Sequence, residues 1–199
     1  FLFLGLFFQV VLQYSPLRSG FAFLPFTAGI IICAGIASNL LPKVGPKPLM
    51  IPGLMVSASG LLYLSQLTPT SDYLTHVVPS LVLMSSGMAF VFIPLMTTAL
   101  HNVSHHDTGV ASAMINTSQQ IGGSLGTALL NTVAATAATG YITSHKEMGQ
   151  TVKVFAMVHG FDSAFKVGAS LLLVGAILLF TFITVGKDSV VESDAVVMH

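Results

Sequence analysis

The sequence predicts an all-α, polytopic membrane protein built as a bundle of six transmembrane helices. Three observations lead there. The chain has 199 residues, 53% hydrophobic and 7% charged, with a mean hydropathy of +0.86, far from the roughly 25% charge of soluble domains. Its apolar residues fall into six runs separated by polar connections. These runs are too long for barrel strands of about ten residues and lack their two-residue alternation, which leaves helices. Finally, of the 30 residues from Gly109 to Ala138, 18 are Gly, Ala, Ser or Thr, and no charge lies between Asp107 and Lys146. Lipid does not drive helices together, so close backbone approach must, and small side chains permit it.

Taken in order, residues 1–13 are apolar apart from Gln9 and Gln13. They give about 20 Å of helix against a hydrocarbon core of ~30 Å. This first span therefore reads as truncated, and the chain as a fragment of a longer protein. Residues 14–20, YSPLRSG, form a tight link, with Ser-Pro to open a turn and Gly20 free to take positive φ. The second span is 21–41, with Gly29, Ala34, Gly35 and Ala37 as packing positions. A short basic loop, PKVGPKP, leads to the third span at 49–67. A polar link holding Asp72 and His76 precedes the fourth span, 78–100, which Pro94 interrupts. The fifth span is 108–138. Residues 141–166 read as the longest polar connection, 167–185 as the sixth span, and 186–199 as a polar tail.

Within the fifth span, Ser118, Gly122 and Gly126 recur at four-residue spacing and mark a helix-packing face. Asn116, Gln120, Gly123 and Thr127 fall on a neighbouring face and give the helix a polar edge turned from lipid. The six runs contain no acid and no mid-membrane cation. Charges inside membranes are costly and mark ion paths, so this part of the protein is expected to hold no carboxylate that titrates at mid-membrane. Lys166, at the edge of the sixth run, is expected to snorkel to the interface.

Other classes are set aside on composition. The net charge is zero, which offers nothing to nucleic acid. Cys33 is alone, which excludes an internal disulfide. His101, His105 and His106 with Asp107 read as a solvated loop, since the adjacent histidines cannot share a helix face. No nucleophile, base and orienting acid come together, so no enzyme and no cofactor are expected. The positive charges divide evenly between the two sides: Lys43, Lys47 and Lys187 against Arg18, Lys146 and Lys153. Short loops weigh most in the positive-inside rule and lean towards a cytoplasmic Lys43 and Lys47, though charge alone leaves orientation open.

Several stretches together resemble the major facilitator superfamily, in particular its fourteen-helix drug–proton antiporter branch. They are YSPLRSGFAFLP, SNLLPKVGPKP, GMAFVFIPL and, most specifically, GVASAMINTSQQIGGSLGTALL. The loop Lys43, Gly45, Lys47 matches the superfamily's cytoplasmic gating-loop motif, but Pro42 stands at the acid position, so the intact charge relay is absent. Gln119 stands where the family often has Arg. The resemblance covers residues 1–185 and implies a C-terminal six-helix half, made of two three-helix repeats. It further implies a missing N-terminal half as partner, a cytoplasmic Lys43 loop and tail, and a bacterial plasma membrane location among lipid. The activity implied is export of small amphipathic molecules by alternating access, with the proton as coupling ion bound by a carboxylate in the other half. Gln9, Gln13, Asn116 and Gln120 become candidates for the substrate cavity; the alternative for each is an interhelical hydrogen bond. A membrane scaffold or receptor built on the same helices is the alternative function.

Overall fold

A computed structural model of the chain describes residues 1–100, 103–104, 106–145 and 152–182. Among them the chain is helical: α1 (Leu2–Leu6), a π-helical turn (Phe7–Val11), α2 (Pro16–Phe21), α3 (Leu24–Val44), α4 (Pro46–Leu64), a second π-helical turn (Tyr73–Val77), α5 (Val78–Leu100), α6 (Thr108–Ser144) and α7 (Val152–Phe182). Four stretches are long and apolar enough to cross a membrane: Pro16–Val44, Pro46–Leu64, Tyr73–Leu100 and Val152–Thr181. Leu2–Val11 is a shorter apolar helix. At 37 residues α6 is long enough to cross, but its Gly, Ala, Ser and Thr keep it less apolar than those four.

The core lies where the first turns meet the later helices. Phe3, Leu4, Phe7 and Phe8 of the first segment are buried against Phe26, Leu64, Leu67, Val77, Leu81, Phe161 and Phe165. The π-helical turn begins where Leu12 N–H reaches back to Phe7 O at 3.0 Å, five residues away. Gln13 ends it in the left-handed region at φ 54°, donating its side-chain amide to Val10 O at 2.6 Å. Ser15 then caps α2 by accepting from Arg18 N, with Pro16 in the first turn. That arrangement is favoured because Pro lacks the N–H which would otherwise go unsatisfied.

Close approach does hold the bundle together, but at α4 and α5. A Cβ on Gly53 would stand 2.8 Å from Gly87 O, and one on Gly60 would stand 2.8 Å from Met84 Cγ. A Cβ on Gly87 would collide with Ser57 and the backbone of Gly53. Gly29 brings α3 equally close to Ser85 of α5. Gly160 does the same for α7 against α6, where its Cβ would lie 2.5 Å from Ala134 O.

Two expectations need correction. Residues 141–166 are not mainly a connection: α6 runs on to Ser144 and α7 begins at Val152. Tyr141 faces His159 across that pair, ring centroids 5.2 Å apart, and such contacts let a polar stretch remain helical. As a consequence α7 carries an acid. Asp162 and Lys166, one turn apart, form an ion pair inside the helix that is long and apolar enough to span. The stripe Ser118, Gly122 and Gly126 stands apart from these close contacts. A Cβ at Gly122 or Gly126 would meet nothing within 4 Å, and Ser118 is exposed. Among the described residues no helix packs on that face. The residues 186–199, Lys146, Lys187, His101 and His105 lie outside the described residues.

Candidate functional site

The site is built on α6. Of its 37 residues only Ala134 is buried, so the rest of the helix has little cover from the described residues. Asn116 and Gln120 are exposed. At 100° per residue the face carrying Gln120 continues through Ser124 and Thr127 to Asn131. The Thr127 hydroxyl turns back to Gly123 O at 2.8 Å and the Ser124 hydroxyl to Ile121 O at 3.0 Å. Each hydroxyl thus satisfies itself locally and leaves a polar but uncharged face.

Asn131 was not singled out from sequence, yet it lines a groove of about 280 Å³ between α1, α6 and α7. Phe3 and Leu6 form one wall, Met157 and Phe161 another, and Ala134, Ala135 and Ala138 the floor. Lys153 is the one charged residue among those lining it. The signal was present in the sequence: Asn131 comes eleven residues after Gln120, a spacing that returns to the same side of a helix. Lys153 could not have been found, because it comes from a segment that reads as a loop.

Gln9 is exposed on the π-helical turn, and Gln13 lies beyond its end. The two therefore do not continue one α-helical face, and Gln13 spends its amide on Val10 O. A π-helical turn shifts the register of the residues after it, and that shift separates the pair. Neither residue lines the groove.

The loop motif is divided in its duties. Gly45 is at once the last cap of α3 and the first of α4, at φ 85° and ψ 171°. Lys43 is exposed. Lys47 donates to Phe180 O at 2.7 Å and sits 4.6 Å from the centre of the Phe180 ring. This contact places the end of α7 beside the Lys43–Lys47 loop.

The ion pair of α7 is asymmetric. Lys166 Nζ stands 2.9 Å from both oxygens of Asp162, but only Oδ2 meets it at a hydrogen-bonding angle; Oδ1 is buried without a donor. The Asp162 side chain is 17% exposed and that of Lys166 59%. At about 1.5 Å per residue, Lys166 is some 24 Å and Asp162 some 30 Å from Phe182 along the helix. The pair thus falls at the far boundary of a ~30 Å hydrocarbon core, and Lys166 reaches outward from it. In the loop before α6, the Ser104 hydroxyl, followed by the His106 ring, holds the Asp107 carboxyl below the usual carboxylate range.

Residues 1–127 match the Major Facilitator Superfamily. The puromycin resistance protein of Streptomyces alboniger is 38% identical over 186 residues, covering 92% of this chain and 37% of that protein. The multidrug resistance protein B homolog of Mycobacterium tuberculosis is 31% identical over 79% of the chain and 28% of its own length. The cephamycin export protein of Amycolatopsis lactamdurans is 34% identical over 69% of the chain and 29% of its own length. The chain thus spans between 28% and 37% of the length of these relatives. With its apolar helices and these bacterial relatives, the chain belongs to the major facilitator superfamily, as a multi-pass protein of the bacterial plasma membrane.

Proposed function

We propose that this chain forms one wall of a secondary transporter that exports drugs or other small amphipathic molecules. The observation that carries the reading is α6, a helix whose polar, uncharged face has almost no cover from the described residues and opens at one end into an apolar groove. Uncharged amides such as Asn116, Gln120 and Asn131 donate and accept without demanding one charge, which suits varied substrates. The relatives named for resistance to puromycin and export of cephamycin support the substrate class. A second half of the same transporter covers α6 in this reading, and Ser118, Gly122 and Gly126 are where it approaches. Alternating access then moves one half against the other, with entry of a proton as the driving step.

The test is the full-length protein in proteoliposomes with an imposed pH gradient. Uphill movement of an amphipathic dye that collapses with the gradient is the expected result. Movement independent of the gradient would remove the proton from the proposal. No movement of any dye would favour a scaffold or receptor instead.

A further inference from the structure

We propose that the groove between α1, α6 and α7 is a binding site for an amphiphile carrying a single carboxylate, with Lys153 as its counter-ion. Three features carry this. The first is chemistry. The walls are Phe3, Leu6, Met157 and Phe161, and the floor is alanine, so the body of the ligand is apolar. Among the described residues that line the groove, Lys153 is the one charge and Asn131 the one amide. Among the described residues no carboxylate lies within ion-pair distance of Lys153, whereas Lys166 on the same helix has Asp162. The cation at the groove thus selects a negative head.

The second feature is depth. Lys153 is about 44 Å along α7 from Phe182, and Asn131 about 34 Å along α6 from Thr108. The Phe180 carbonyl touches Lys47, so these distances start from the Lys43–Lys47 end of the molecule. A hydrocarbon core of ~30 Å is exhausted before either residue. The groove therefore sits at the opposite membrane–water interface, where an amphiphile keeps its charged head in water and its body in apolar surroundings. The third is size. About 280 Å³ is near the lower limit of small-molecule pockets, which begin at roughly 300 Å³. It holds a short apolar body and excludes a large rigid drug. The inference goes beyond the export reading, since a bound amphiphile at this site need not be a transported one.

The experiment is equilibrium binding of radiolabelled octanoate to the full-length transporter in lipid nanodiscs at neutral pH, beside its methyl ester and octylammonium. The acid is expected to bind saturably and about tenfold more tightly than the ester, an amount one charge–charge contact supplies. Lys153→Gln should abolish that preference and Lys153→Arg should keep it. Ala135→Phe, which fills the floor, should weaken acid and ester alike. Equal binding of acid and ester, or a preference that survives Lys153→Gln, overturns the proposal. So does binding that ignores Ala135→Phe, because the probe is then in the bilayer or elsewhere. If Ala135→Phe fails to accumulate, Lys153→Glu decides: it should reverse the preference towards the alkylammonium, and an unchanged preference for the acid sinks the idea. Binding is read without transport, so the result stands apart from the export assay.

Discussion

Gly45 joins α3 to α4 without an intervening residue, and its backbone angles of 85° and 171° belong to a region open essentially to glycine. Gly45→Ala should therefore destabilise the protein by about 1–3 kcal/mol, read as a lower unfolding temperature of the purified transporter. An unchanged midpoint would mean the turn relaxes freely. Lys47 acts through a partner 133 residues away. Lys47→Met keeps the stem but removes the bond to Phe180 O, and should cost about 1 kcal/mol, less than a fully buried charged hydrogen bond because the site is partly open to water. Lys47→Arg should recover most of it, since a guanidinium also donates to a carbonyl and stacks on a ring. The same thermal measurement separates the two. The turn at Gly45 was legible in PKVGPKP because Pro and Gly act locally. The Lys47 contact was not, because nothing in a loop names a carbonyl at the other end of the chain.

Among elements, α4 with α5 and α6 make the sharpest contrast. Both carry small residues at helical spacing, and composition cannot tell which stripe is covered. Gly53, Gly60 and Gly87 lie backbone to backbone; Gly122 and Gly126 meet nothing. Gly87→Ala should thus reduce the amount of folded protein in the membrane sharply, since both Ser57 and the backbone of Gly53 are in the way. Gly122→Ala should leave that amount unchanged. Gly122→Leu should also insert normally, and any loss it causes should appear in efflux, where the proposed second half would meet it. A Gly122→Ala protein that fails to accumulate would show that this face is covered before the transporter halves meet. The long helices were legible from hydropathy alone. The joint between α6 and α7 was not, because Lys153, His159, Asp162 and Lys166 read as a loop until Tyr141, His159 and Gly160 pack the two helices together. The polar face of α6 was half legible: its period yielded Asn116 and Gln120, while Asn131 gained meaning only with the groove beside it.

At the scale of the molecule, the two ends can be told apart and the assignment tested. One end carries the Lys43–Gly45–Lys47 turn, with Lys47 bonded to the last turns of α7. The other carries Lys153, about 44 Å away along α7. Whatever the orientation, these two positions must lie on opposite sides of a ~30 Å core. The resemblance of the basic loop to the superfamily's motif implies a cytoplasmic Lys43, and labelling tests it. A reporter cysteine should not replace Gly45, whose backbone a Cys side chain would strain. Lys43 and Lys153 are both exposed, so Lys43→Cys and Lys153→Cys suit the purpose, in a Cys33→Ala background that removes the chain's own thiol. An impermeant maleimide should label the Lys153→Cys protein in intact cells and the Lys43→Cys protein only in inside-out vesicles. Labelling of both from one side would contradict α7 as a spanning helix. The reverse pattern would keep the fold but invert it, placing the carboxylate groove at the cytoplasmic surface, where it would meet amphiphiles before export rather than after.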